Sequence, residues 1–368
     1  MNCRLQPNLN QILDRFEAFW DNKILDRPMF SILLPKPLED QQKIHYKNYH
    51  GDWEARWLDI EARVEENALT LQNYHFIGDA IPFVCPGMGT DILAAATNCG
   101  YKFDGITGWS THDLTNWENE NQFHFDPDNK YYKAQMDYVK QLIEKGKGEF
   151  VVGHPDYHPT GDQLASTRGT ENALMDLILN PDNVKQFLTR TQQDFYQMYD
   201  TVESWLQEAD MPSMSWTNIA AKRSHWMICN DFSIMISPDM FDEFFLPYVK
   251  EEAQKFKRSM YHLDGVGALH HLASILRIEE LNGVQFLPGA GAGPMRDYLP
   301  VFQQIQEAGK CLEILQPSVE DLDILIEGLR PEGVILNWIT GVTDLDHARK
   351  IEQKILAWGQ QYGYGLDE

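Results

Sequence analysis

The stretch YHLDGVGALHH at residues 261–271 sets His262 two residues before Asp264, just ahead of a glycine turn. In a strand the side-chain period is two, so both groups leave the backbone on the same side. An imidazole beside a carboxylate can be held in one tautomer and made more basic, or the two can ligate one metal ion. The plain alternative is a capped turn. A denser run, GHPDYHPTGD at 153–162, carries His154, Asp156, Tyr157, His158 and Asp162. Its prolines rule out a helical histidine pair and leave either a braced loop lining a pocket or a rigid surface loop. His270 and His271 are adjacent, face different ways on a helix, and read as structural or solvated.

Something must position these groups. Short apolar runs occupy residues 29–34, 80–84, 149–153, 213–216, 259–263, 283–287, 310–315 and 333–338, each bounded by Pro, Gly or Asp and most followed by an amphipathic stretch. Near-continuous apolar strands alternating with helices predict a parallel sheet covered by helices. Eight such runs predict an α/β chain folded as a single (βα)8 TIM barrel. It forms one domain over residues 1–368, with the barrel at about 28–358, helices ahead of it and long βα loops. A doubly wound sheet is the alternative, but no G-x-G-x-x-G follows the first run. Ser237 and Pro238 read as the cap and first residue of a helix, which Pro247 should kink. The polar, aromatic segment 104–130 reads equally as a binding loop or as surface decoration.

Barrel enzymes work at the carboxyl ends of their strands. The residues to weigh are therefore Asp91 after the second run, and His154, Asp156 and Tyr157 after the third. Trp216 and Asn218 follow the fourth, and His262 and Asp264 close the fifth. Glu313 lies on the seventh and Trp338 ends the eighth. Trp216 and Trp338, at strand ends, are candidates to wall a pocket; most tryptophans are packing.

Of the residues 43% are hydrophobic, enough for a sizeable core. The formal charge of -24 repels phosphate backbones and argues against a nucleic-acid partner. The five cysteines are widely spaced and include no C-x-x-C, which predicts a reducing, cytoplasmic setting rather than a disulfide framework. The N-terminal MNCRLQPNLN has no signal-peptide pattern, and no apolar run reaches membrane-spanning length, so no membrane association is expected.

Taken in order, several segments resemble the uroporphyrinogen decarboxylase superfamily, which includes the decarboxylase and methyltransferases that move methyl groups between corrinoids and thiols or pterins. DRPMF resembles the segment opening the barrel. TDILAAATNCG resembles the stretch that holds the decarboxylase's essential aspartate, here Asp91. GHPDYHPTGDQLASTRGTENALMDLILNPDNVKQFL is similar to the family's central stretch. ISPDMFDEFFLPYVKEE is close to its SPE-F-EF-LPY, and YHLDG sits where the methyltransferases have H-x-C-G. The departures are informative. The decarboxylase's arginine-rich segment after the first strand is replaced by SILLPKPLED, in which Lys36 is the lone cation. Asp264 replaces the methyltransferases' first zinc-binding cysteine, and LNWITG lacks the later one.

The resemblance implies a divergent member acting on a small polar substrate by methyl transfer. Its catalytic residues would be His262, Asp264, Asp91 and His154. Trp216, Trp338, Tyr157, Asp156 and Asn218 would contact substrate. Zinc or another divalent metal would sit on His262, Asp264 and Glu313, and metal-free chemistry is also compatible. A corrinoid protein partner and a homodimer are left open. The alternatives are a cofactor-free decarboxylase or other lyase of the same superfamily, and a non-catalytic tetrapyrrole or small-ligand binding protein.

Overall fold

In the computed structural model, which describes residues 2–365, thirteen strands alternate with helices. They are β1 Met29–Pro35, β2 Tyr74–Gly78, β3 Phe83–Val84, β4 Tyr101–Phe103, β5 Gly108–Ser110, β6 Val151–Val152 and β7 Ser213–Met214. There follow β8 Ala220–Ala221, β9 His225–Ile228, β10 Arg258–Asp264, β11 Gly283–Leu287, β12 Cys311–Leu315 and β13 Val334–Asn337. Seven form one sheet in the order β2-β1-β13-β12-β11-β10-β9. All neighbours in it run parallel except β1 and β2. A separate parallel pair joins β3 to β6. The Asp79 amide donates to the Phe30 carbonyl, and the His154 amide to the Met214 carbonyl, which brings that pair against β1 and β7. The arrangement is a mixed α/β fold consistent with a TIM-like barrel.

Six of the eight apolar runs overlap strands of the two parallel sheets closely. The fourth does not. SMSW supplies β7, which pairs antiparallel with β8 in a short hairpin. The strand beside β10 is instead β9, HWMI, in register with Arg258–Tyr261. Both segments are short and apolar, and only the pairing separates them. The second run is also displaced: β3 begins at Phe83, and of residues 80–82 Pro82 meets β6 through its carbonyl, which accepts from the Val151 amide. The segment between β1 and β3 contains the helices Trp53–Leu58 and Ile60–Gln72 as well as β2.

Local signals in the sequence set several elements. The Ser237 hydroxyl accepts from the Met240 amide, with Pro238 opening the helix Pro238–Phe244. Pro247 cannot donate to the previous turn, and the helix breaks at Phe245 before resuming as Leu246–Lys255.

Period-two alternation sorts the inner face into levels. Met29, Met227, Met260, Cys311 and Ile335 belong to one cluster and are fully or almost fully buried. The helix Leu9–Trp20 packs Ile12, Phe16, Phe19 and Trp20 beneath them. Two residues further along come Ser31, Cys229, His262, Glu313 and Asn337; Gln285 on β11 is the register partner of both His262 and Glu313, while Asn337, opposite Leu315 in register, reaches Glu313 diagonally through its side chain. Asp231 and Asp264 stand beyond these, at the mouth. The alternation thus gives an apolar floor and a largely polar middle, and the chain after β9 and the end of β10 add two carboxylates at the mouth. Asp79 anchors the entry. Fully buried, it accepts from Arg15 and Arg27 and from the Phe30 amide, tying the N-terminal helix to β1.

Candidate active site

At the mouth His262, Asp231 and Asp264 present one ligand-type atom each within 4.8 Å of one another, and His158, Asp162 and Asp231 do the same. Asp231 belongs to both sets. It follows β9, the strand that the sequence reading passed over, and it was missed for that reason. The signal was present in HWMICND, an apolar run ending in a carboxylate.

Each group is held by named partners. His158 lies between two carboxylates, with Nε2 3.3 Å from Asp156 and Nδ1 3.3 Å from Asp162. Burial alone would favour the neutral ring, but the flanking carboxylates outweigh it and hold His158 protonated, well above the ordinary histidine range. Asp162 also accepts from the amides of Asp231 (3.0 Å) and Phe232 (2.7 Å), which fixes the turn that carries Asp231. His270 and His271 reach the carbonyls of Ile236 and Ser233 and clamp the same turn from below. Asp231 turns Oδ1 inward, where no side chain among the described residues hydrogen-bonds to it. Burial, reinforced by the charge of Asp162, pushes this carboxyl up to about 7.

His262 is almost fully buried. Burial lowers its pKa, against the opposing hydrogen bond to Gln285. Its Nε2 is 4.0 Å from Asp231 Oδ1. Its Nδ1 meets Gln285 Oε1 at 2.5 Å, so Gln285 and not Asp264 orients the ring. Trp216 packs edge-on against that ring with centroids 5.0 Å apart. Glu313 is fully buried one strand further on, where it takes hydrogen bonds from Gln285 (2.6 Å) and Asn337 (2.5 Å). It lies behind Gln285 and in neither ligand set. Burial raises it to about 7.

Two cavities open on this cluster. One, of 440 Å³, is lined by Asp91, Trp109, His112, His158, Asp162 and Asp231 among others. Asp91 therefore joins the cluster. Its Oδ2 accepts from the Ser110 amide and hydroxyl, and its Oδ1 from the Ser166 hydroxyl at 2.6 Å. His112 is a second residue that sequence reasoning missed. Its ring Nδ1 sits 2.8 Å from the Ser166 carbonyl, and its backbone has φ 57°, a left-handed conformation that the sequence does not announce. The segment 104–130 thus supplies two walls of this cavity. The other cavity, of 500 Å³, is lined by Asp264, Gln316, Ser318, Asp321 and the glycine-rich loop after β11. No lysine or arginine is among the described residues lining either one.

The remaining candidates lie elsewhere. His154 is fully buried, stacks on Tyr199 and pairs with Glu203 at 3.0 Å. Tyr157 is buried among Phe195 and Trp226. Asn218 bridges the Ile81 amide and the Asp79 carbonyl. Trp338 stacks near Phe83, its amide donating to the Ser31 hydroxyl. Asp156 reaches the cluster through His158.

No family model matches the chain, and no curated protein matches it in sequence. Among solved structures it is similar to a methyltransferase from Methanosarcina mazei. That likeness has a TM-score of 0.61 at 12% identity, and it covers 96% of this chain and 99% of the other. At that identity it is a likeness of fold. Among the described residues, no helix is long and apolar enough to cross a membrane.

Proposed function

We propose that the chain is a methyltransferase-like enzyme of the uroporphyrinogen decarboxylase superfamily, built on a closed (βα)8 barrel, with its reaction centre at Asp231, His262 and Asp264. The observation that carries this reading is the meeting, 4.0 Å apart at the strand ends and beside two cavities, of His262 Nε2 and the inward-turned Oδ1 of Asp231, to which no described residue donates a hydrogen bond. The fold-level likeness to a methyltransferase supports the reaction class.

A methyl acceptor bearing a thiol or an N–H must lose a proton as it takes the methyl group. Asp231, poised near 7, and His262, kept neutral by burial, are placed to hold or accept that proton at Oδ1 and Nε2. Protonated His158 offsets the charge of Asp156 and Asp162, so that Asp231 is not surrounded by negative charge alone. Asp91, held by two serines, faces the same cavity and favours positive charge on the substrate.

The same donor set suits a divalent cation. One imidazole nitrogen and two carboxylates converge, and the 4.0 Å between Nε2 and Oδ1 is within the sum of two ligand bonds of roughly 2.1 Å each. His262, Asp231 and Asp264 would hold it, and such an ion, when bound, would lower the pKa of the acceptor. Oxygen-rich ligation makes it harder than a thiolate site. Glu313 would not be a ligand.

A porphyrinogen decarboxylase is disfavoured, because cavities walled by carboxylates, with no lysine or arginine among the described lining residues, do not suit a polycarboxylate. The test is a visible-absorption assay with methylcobalamin as donor and a panel of thiols and tetrahydropterins as acceptors. Loss of the methylcobalamin spectrum with a matching methylated acceptor is expected. Carbon dioxide release from a carboxylated substrate, without methyl transfer, would overturn the reading.

A further inference from the structure

One run of hydrogen bonds crosses five neighbouring strands at the middle level of the inner face. Trp338 N donates to Ser31 Oγ at 2.8 Å. Ser31 Oγ donates to Asn337 Oδ1. Asn337 Nδ2 donates to Glu313 Oε1 at 2.5 Å, and Gln285 Nε2 donates to Glu313 Oε2 at 2.6 Å. Gln285 Oε1 then faces His262 Nδ1 at 2.5 Å. Ser31, Asn337, Glu313 and Gln285 are all fully buried, so no water competes for these contacts.

The direction of each bond follows from what each group can do. At pH 8, above the value of about 7 to which burial raises it, Glu313 is mainly ionised, and an ionised carboxylate only accepts. Both amides must therefore turn their NH2 groups toward Glu313, which leaves Gln285 presenting its carbonyl oxygen to the imidazole. A carbonyl oxygen also only accepts, so His262 must carry its proton on Nδ1. The lone pair is then on Nε2, the nitrogen that faces Asp231.

We propose that Gln285 is a positioning residue that locks His262 in the Nδ1–H tautomer, and that Glu313, gripped by Asn337, sets the orientation of Gln285. Gln285 touches no reacting atom. It decides which imidazole nitrogen is available as base or ligand, as outer-shell partners of histidine commonly do. Glu313 carries no buried counter-charge among its hydrogen-bond partners, and its fixed place between two amide donors is accounted for by this orienting role. The proposal rests on the reading of His262 as part of the reaction centre, but its test does not require turnover.

The tautomer is read directly by long-range proton–nitrogen correlation on protein labelled with 15N-histidine, at pH 8 and without added metal. His262 is assigned by the signal lost in His262→Gln and in His262→Asn. The expected result is a protonated Nδ1 and a bare Nε2 for His262 in the unaltered chain. Gln285→Met, which keeps length and removes both polar ends, is expected to shift the population toward Nε2–H while the other histidine signals stay in place. A protonated Nε2 in the unaltered chain, or an unchanged tautomer in Gln285→Met, would overturn the proposal. The first of these needs no relay variant to fold. A locked tautomer in a chain that transfers no methyl group would count against the methyltransferase reading alone. Methyl transfer with the opposite tautomer would count against the relay alone.

Discussion

Asp231 is where residue chemistry is most exposed to test. Its carboxyl is raised from the ordinary aspartate range to about 7 by burial and by Asp162. If it accepts the acceptor's proton, only its ionised form works, so the rate at saturating substrate should fall as pH drops through about 7. Asp231→Asn should flatten that limb and cost on the order of 10²-fold in kcat. A pH–rate profile of both proteins checks this, and an unchanged limb in the variant would remove Asp231 from proton transfer. His262 and Asp264 were legible in the sequence because two chemically capable residues at strand spacing, before a glycine turn, fix their own geometry. Asp91 was legible through a resemblance. Asp231 was not, because its position depends on which of two short apolar segments pairs with β10. His112 was not, because a left-handed backbone at a non-glycine residue is set by its surroundings. His154 shows the converse. It is a histidine in a promising motif, but its neighbour across the fold, Glu203, could be known only from packing.

At the scale of elements, helix contacts carry titratable strain of their own. Glu252, on Leu246–Lys255, is fully buried beside Gln192 and Trp226, and burial raises its carboxyl to about 8. The native state then binds more protons than the unfolded chain between the unfolded carboxyl range near 4.5 and about 8. Stability from this group is therefore complete below that window and is lost as pH rises through it. Glu252→Gln should remove the loss. Denaturant unfolding should show the variant gaining roughly 2 kcal/mol on the unaltered chain between pH 6 and pH 9; parallel curves would contradict it. Asp79 makes the opposite case. Replacing it by alanine leaves Arg15 and Arg27 without their shared buried carboxylate, and should cost about 3–5 kcal/mol. Denaturant midpoints check this too. Local elements were well marked where a residue dictates backbone geometry, as Ser237, Pro238 and Pro247 do. They were poorly marked at the β7–β8 hairpin, where both strands are two residues long and nothing but pairing defines them.

For the whole molecule, the alternation of strand and helix carried the parallel α/β architecture, because a strand buried on both faces must be apolar and its crossover must be amphipathic. The polar middle level was not readable as a unit. Ser31, Gln285, Glu313 and Asn337 lie on four strands spread over most of the chain; of these only Glu313 stood out in the sequence, as a metal ligand rather than as the partner of two amides. Register brings Gln285 beside Glu313, and side-chain contacts across the strands bring Asn337 to Glu313 and Ser31 to Asn337. The acidic balance of the chain continues into its cavities, which carry carboxylates and histidines and no cationic clamp among the described lining residues. In the proposed function, His262 and Asp231 are the place where a methyl group changes hands. The most direct measurement is the rate of methylcobalamin demethylation, with the best acceptor of the thiol and tetrahydropterin panel, for the unaltered chain and His262→Ala side by side. Both proteins must first give matching circular dichroism. Turnover in the first and a loss of at least about 100-fold in the second are expected from the proposed function. Equal rates in the two, or no methyl transfer to any acceptor of either class by the unaltered chain, would contradict it.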